Sequence, residues 1–200
     1  MKNVLKMTAL VLCCVALVAC SQKGPAEAAL TAATAAVDGV KAEAAQYVPD
    51  QAKGLGTALT AAREAFDKGD YKAALEAAQA IPGKAKEAMT AVTAKKDELT
   101  KAWTSLSGSL PGMVEQIKSK VDALGAMKKL PKDMDKAKVE AAKGNLADIT
   151  KAWGEASEAF KSGKLMDAAT KGNEVKAKVS ETMAALGLSA AAPAAAPEKK

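Results

Sequence analysis

Residues 66–75 read Phe66-Asp67-Lys68-Gly69-Asp70-Tyr71-Lys72-Ala73-Ala74-Leu75. Gly69 fits the left-handed position that ends a helix, Asp70 can cap the next one, and Tyr71, Ala74 and Leu75 resume helical spacing. The stretch therefore predicts a corner between two antiparallel helices. Upstream, Leu55, Leu59, Ala62 and Phe66 mark one arm over residues 53–66. Downstream, Ile81, Ala85, Ala88, Val92, Leu99, Trp103 and Leu106 recur at helical steps, with Lys95 as the one interruption. Apolar positions at that spacing identify an amphipathic helix.

Outward from this corner the same pattern repeats. Residues 26–48 carry Leu30, Val37, Val40 and Tyr47 and stop at Pro49, as a helix does before proline. Pro82-Gly83 predicts a break or a helix start, and Ser107-Gly108-Ser109 a second break. Leu110, Val114, Ile117, Val121 and Leu124 then define another helix, ended by Leu130-Pro131. A short polar helix is expected over 133–143, a corner at Gly144-Asn145, and final helices over 145–160 and 164–186. Leu165, Ala168, Gly172, Val175, Val179 and Met183 form the apolar stripe of the last one. The expectation is an all-α domain over 26–189, a bundle or array of six to eight antiparallel helices built from hairpins. Residues 190–200 alternate alanine runs with Pro193 and Pro197, which predicts a disordered tail.

Composition agrees and excludes much else. Of 200 residues 48 are alanine, 3% are aromatic and none is histidine, which favours helix over sheet and removes the commonest metal ligand and acid–base group. The net charge of +6 rests on lysine, Arg63 being the sole arginine. Lysine suits solvated helix faces better than bidentate phosphate recognition, so nucleic acid is not an expected partner.

The first residues read as an address. Lys2 and Lys6 precede an uncharged run over 7–19 that is too short to span a bilayer, which needs about 20 residues, but suits a secretory leader. It closes in Leu17-Val18-Ala19-Cys20. This run resembles the lipobox of bacterial lipoproteins. The resemblance implies a signal peptide over 1–19, a diacylglycerol and further acyl chain on Cys20, a lipidated linker over 20–25, and, with Ser21 following, an outer-membrane, periplasm-facing address. Cys13 and Cys14 would leave with the leader, so the mature chain would hold neither disulfide nor thiolate ligand. One acyl chain anchors only marginally, and stable attachment takes two.

Two internal echoes stand out. Leu99-Thr100-Lys101-Ala102-Trp103 and Ile149-Thr150-Lys151-Ala152-Trp153 lie 50 residues apart; Phe66 and Gly69 align with Phe160 and Gly163 at an offset of 94. The offsets differ, so no tandem array is expected, and duplication of one hairpin and convergence on glycine corners both remain open. The stretch 59–81 also resembles the middle of a tetratricopeptide repeat, where Gly-Asp-Tyr hands one helix to the next and Ile81-Pro82 would close it. The upstream Trp–Leu–Gly–Tyr spacing is missing and no second unit follows.

Catalysis finds little footing. Nucleophilic chemistry needs a hydroxyl or thiol beside a base. Ser119 and Lys120 are helix neighbours that diverge, as do Asp133 and Asp135, and Glu155 and Glu158 read as a solvated face. No enzyme activity, cofactor or metal is expected. Trp103 and Trp153 are the candidate partner-binding residues, and Met113, Met127, Met134, Met166 and Met183 offer an adaptable apolar lining. The expected function is a non-catalytic, lipid-anchored binding or scaffold protein of the bacterial envelope with membrane lipid and an envelope protein as partners. The alternatives are a carrier of an apolar ligand between helices and a structural lipoprotein joined to peptidoglycan through a terminal lysine, with Lys200 matching in position alone.

Overall fold

The computed structural model describes residues 22–189. Among them are five helices and no strand: α1 (Lys23–Tyr47), α2 (Pro49–Asp67), α3 (Tyr71–Ala126), α4 (Lys136–Lys161) and α5 (Leu165–Ala185). The all-α class is as expected, whereas five helices replace the expected six to eight. The leader, Cys20 and the tail over 190–200 lie outside the described residues. α1 begins at Lys23, inside the stretch expected to be a linker.

The missing boundaries share one physical cause. Pro82 and Pro111 lie within α3, which runs unbroken for 56 residues, and so do Ser107, Gly108 and Ser109. An interior proline costs about 3 kcal/mol because it lacks the N–H and crowds the carbonyl four residues back. Both prolines lie on the exposed face; the carbonyls they free belong to Ala78, which is buried, and to Ser107, which is half-buried. The residues just before them, Ile81 and Leu110, are wholly buried. Each large buried side chain contributes roughly 1.5–3 kcal/mol, and the apolar stripe passes beneath both prolines without interruption. The serines bond within the helix: Ser107 Oγ donates to the Thr104 carbonyl at 3.1 Å and Ser109 Oγ to that of Ser105 at 2.9 Å. Gly144 and Asn145 likewise fall inside α4, over a stripe of Ala142, Leu146 and Ile149, so the expected helices 133–143 and 145–160 are one.

The stripes step alternately by three and four. In α4 they run Val139, Ala142, Leu146, Ile149, Trp153, Ala156; in α1 they run Ala26, Leu30, Ala33, Val37, Val40, Ala44. A 3.5-residue period keeps one seam facing a partner helix, as in coiled coils. α3 departs from it at Lys95–Leu99–Trp103 and at Met113–Ile117–Val121, where two steps of four follow one another. Such insertions locally relax the supercoil.

The chain divides after Lys95 into two compact units. Unit 1 comprises α1, α2 and the first part of α3. Its buried side chains are mostly alanine, including Ala33, Ala62, Ala74, Ala78, Ala85 and Ala88, around Leu55, Leu59 and Ile81. Arg63 donates to Thr34 Oγ1 at 3.0 Å and ties α2 to α1. Unit 2 comprises the rest of α3, α4 and α5, around a bulkier cluster of Leu106, Leu110, Ile117, Ile149, Met183 and Leu186. Its buried Thr182 hydroxyl is satisfied by the Lys178 carbonyl at 2.8 Å.

Each unit contains a hairpin closed by the same device. Gly69 and Gly163 take φ of 80° and 74°. At the first corner Gly69 N–H donates to the Phe66 carbonyl at 2.9 Å and Asp70 N–H to that of Ala65 at 3.0 Å. At the second, Gly163 N–H reaches Phe160 at 3.0 Å and Lys164 N–H reaches Ala159 at 2.9 Å. This is the paired bonding of a Schellman cap, and it satisfies the last carbonyls of each helix. Asp70 Oδ1 then accepts the Ala73 N–H at 3.1 Å and caps α3. Gly187, at φ 65°, ends α5 in the same way.

The expected helical hairpin about Gly69 is thus present, but Pro82 does not close it. Pairing across both hairpins is symmetric about the glycine. Asp148 and Lys178 lie 15 residues either side of Gly163, and Glu155 and Lys171 lie 8 either side. Gly54 and Lys84, also 15 residues either side of Gly69, line one cleft between α2 and α3.

Candidate functional site

Trp103, one expected binding residue, is buried in unit 2 with 8% of its surface exposed. Its ring stacks on Trp153 at 4.9 Å and on Phe160 at 4.8 Å, each within 10° of parallel. Trp153 and Phe160 are seven residues apart on α4, about 10.5 Å along its axis, so the Trp103 indole fills the slot between them. Gly172 on α5 leaves room for it: a Cβ there would sit 3.0 Å from Leu106 Cδ1 and 3.5 Å from the indole. Trp153 is half-buried at the edge of this stack. The pair belongs to the packing of unit 2.

The five methionines are not brought together. Met113 and Met183 are buried in the unit 2 core, Met134 packs against its edge and Met166 is half-buried. Met127, at 49%, is the large apolar side chain left exposed among the described residues.

Met127 opens the segment that joins α3 to α4, and here the sequence builds a cavity. α3 ends at Ala126, five residues before Pro131. The Met134 N–H returns to the Pro131 carbonyl at 3.1 Å. Asp135 Oδ1 accepts the Lys138 N–H at 2.8 Å and starts α4, while Lys138 Nζ donates to the Asp133 carbonyl at 3.0 Å. Leu130 and Met134 fold back on the core. Between Leu130 and the helix ends lies an open cavity of about 400 Å³, with Leu124 and Val139 as its floor, Leu130 as one wall and Met127, Lys128, Lys136 and Lys143 at its mouth. A shallower groove of about 560 Å³ continues from Lys143 along α3 and α4, past Val121, Leu146 and Ala147.

Electrostatics sets this end apart. Unit 1 balances nine cations with nine anions among its described residues, whereas residues 127–138 hold five lysines against two aspartates. Lys143 is paired with Glu140 at 2.9 Å. The side chains of Lys128, Lys129, Lys132 and Lys136 have no ion-pair or hydrogen-bond partner among the described residues. Sequence reading takes such a run for a solvated face; its place beside Met127 depends on how the segment folds back.

Of the carboxylates weighed for catalysis, Asp135 caps α4 and Glu155 meets Lys171 at 2.6 Å; the neighbouring Asp148 meets Lys178 at 2.6 Å. The hydrogen bond from Lys178, then its charge, holds the Asp148 carboxyl below its ordinary value, and Lys171 acts likewise on Glu155. Glu155 in turn raises the Lys171 ammonium. Among the described residues no three Asp, Glu or Cys side chains converge to hold a metal ion, and no helix is long and apolar enough to cross a membrane. No family model, characterised protein or solved structure matches this chain.

Proposed function

We propose that the chain is a non-catalytic, lipid-anchored binding or scaffold protein of the bacterial envelope, attached through acylated Cys20 and facing the periplasm from the outer membrane. The observation that carries this reading is the leader that ends in Leu17-Val18-Ala19-Cys20, followed at Lys23 by the first helix of an all-helical body. With so short a connection, the acyl chains hold unit 1 close to the bilayer. Its partners are membrane lipid through Cys20 and an envelope protein, with no cofactor. The test is processing and capture: Cys20→Ala accumulates as uncleaved precursor, and wild type partitions into detergent and crosslinks in cells to an envelope protein. Normal cleavage and water solubility of that variant would overturn the anchor.

A second reading, carriage of an apolar ligand between helices, is favoured by one observation. The cavity between the ends of α3 and α4 has an apolar floor and is large enough for a small molecule. Ligand binding there needs neither the anchor nor a protein partner.

A further inference from the structure

Apolar surface and unpaired charge coincide at the α3–α4 end of unit 2. Leu124 and Val139 are 2% and 5% exposed and form a floor that belongs to the core, while the half-buried Leu130 forms one wall. Gly125 places no side chain over the opening. The volume of about 400 Å³ equals roughly thirteen waters at ~30 Å³ each, and lies toward the small end of ligand pockets. That space is of the size of one alkyl chain.

At the mouth, Lys128 and Lys136 have no partner among the described residues, while Lys143 is held by Glu140. An uncharged apolar ligand would leave these ammonium groups unused; an acidic head group would complete them with charge-assisted hydrogen bonds. Met127, unbranched and adaptable, stands on the rim where an entering chain passes. The geometry points to a single-chain anionic amphiphile as the occupant, a fatty carboxylate or alkyl phosphate taken as a dissolved monomer. Its chain lies along Leu130 and Met127 over the nearly closed floor of Leu124 and Val139, and its head group sits between Lys128 and Lys136. This names the ligand class for the carrier reading and rests on it, independently of lipidation at Cys20. The cleft of unit 1 is the internal control: about 290 Å³, lined by Leu55 and Gly54, with Lys84 offset by Glu87.

The experiment photolabels membranes from cells expressing the full chain with a diazirine-bearing dodecanoate and maps the labelled peptides. Label is expected within residues 124–143 at ten times or more the level within 51–87. Dodecyl phosphate should compete, and dodecanol and inorganic phosphate should not. The exposed pair Lys128→Gln and Lys136→Gln, with helicity checked by circular dichroism, should lower labelling at least fivefold. Equal competition by dodecanol with no effect of the lysine pair would overturn the anionic head group and leave an apolar carrier. Label no higher in 124–143 than in 51–87 would overturn both. Labelling only from a diazirine phosphatidylglycerol embedded in vesicles would assign the site to a bilayer surface and overturn the dissolved ligand.

Discussion

Unit 1 and unit 2 close the same hairpin around a glycine 94 residues apart, yet fill it with different amounts of side chain. At equivalent positions Leu59 answers to Trp153, Ala62 to Ala156, Phe66 to Phe160 and Ala85 to Val179. The corner bonds agree within 0.2 Å, so bulk in the seam does not set the backbone geometry. The capped glycine and the alternation of three and four do. Bulk sets how firmly the seam holds: each buried methylene is worth about 0.8 kcal/mol, and unit 2 carries Trp153 and Val179 where unit 1 carries Leu59 and Ala85. We therefore expect amide exchange in α1 and α2 to be faster than in α4 and α5.

The comparison breaks most easily at the aromatic stack. Trp103→Ala should cost unit 2 about 3–5 kcal/mol, since the slot between Trp153 and Phe160 cannot collapse onto an alanine. Hydrogen exchange in α4 and α5 should accelerate sharply while α1 is unchanged. A loss below 1 kcal/mol, or one shared equally with α1, would show that the stack does not hold unit 2 together.

The corners come next. Gly69→Val and Gly163→Val place a β-branched residue at positive φ, at a cost on the order of 1–2 kcal/mol each. Gly24→Val, in the first turn of α1, should move the urea midpoint far less. Similar midpoints for all three variants would refute the claim that the caps fix both hairpins.

A smaller change should make unit 1 resemble unit 2. A Cβ at Gly54 meets nothing within 4 Å, so Gly54→Ala should stabilise α2 by about 0.5–1 kcal/mol. Gly54→Asp should in addition face Lys84 as Asp148 faces Lys178, with a gain that salt removes. Loss of stability in both variants would mean that the pairing about Gly69 is not the pairing about Gly163.

The smallest effect is on pH. Asp148 and Glu155 titrate lower folded than unfolded, so their contribution is complete above the ordinary values of 3.8 and 4.5 and fades as pH falls through the folded ones. Lys171 titrates higher folded than unfolded; its contribution is complete below 10.5 and fades as pH rises through the folded value. Thermal unfolding should show a shallow decline on each side of a plateau. Asp148→Asn with Glu155→Gln should flatten the acid side, and no change there would remove these pairs from the account of unit 2.

The stripe residues, both glycine corners and the Asp70 cap were legible in the sequence because each depends on local spacing. The breaks assigned to Pro82, Ser107–Ser109 and Gly144 were not, because burial of Ile81, Leu110 and Ile149 on the opposite face outweighs each local breaker. Gly187 was overlooked, although glycine followed by Leu188 after a long stripe carries the same signature as the other two caps. The candidate site was the least legible. Lys128 and Lys136 look like ordinary surface lysines, and only the return of Leu130 to the core turns the segment between them into the wall of a cavity.

The symmetry of each hairpin about its glycine also governs how the chain can change length. Removing one residue from a single arm turns everything beyond it by about 100°, which would carry Val179 out of the core and Ser180 into its place. Removing seven from each arm shortens the hairpin while drifting the faces by only ~20°. Because α3 serves both units, seven residues lost from its unit 2 portion must be matched in α4 and α5. Insertions and deletions are therefore tolerated in whole steps of seven, taken by every arm of a unit together, and single-residue changes are confined to the stretch between α3 and α4.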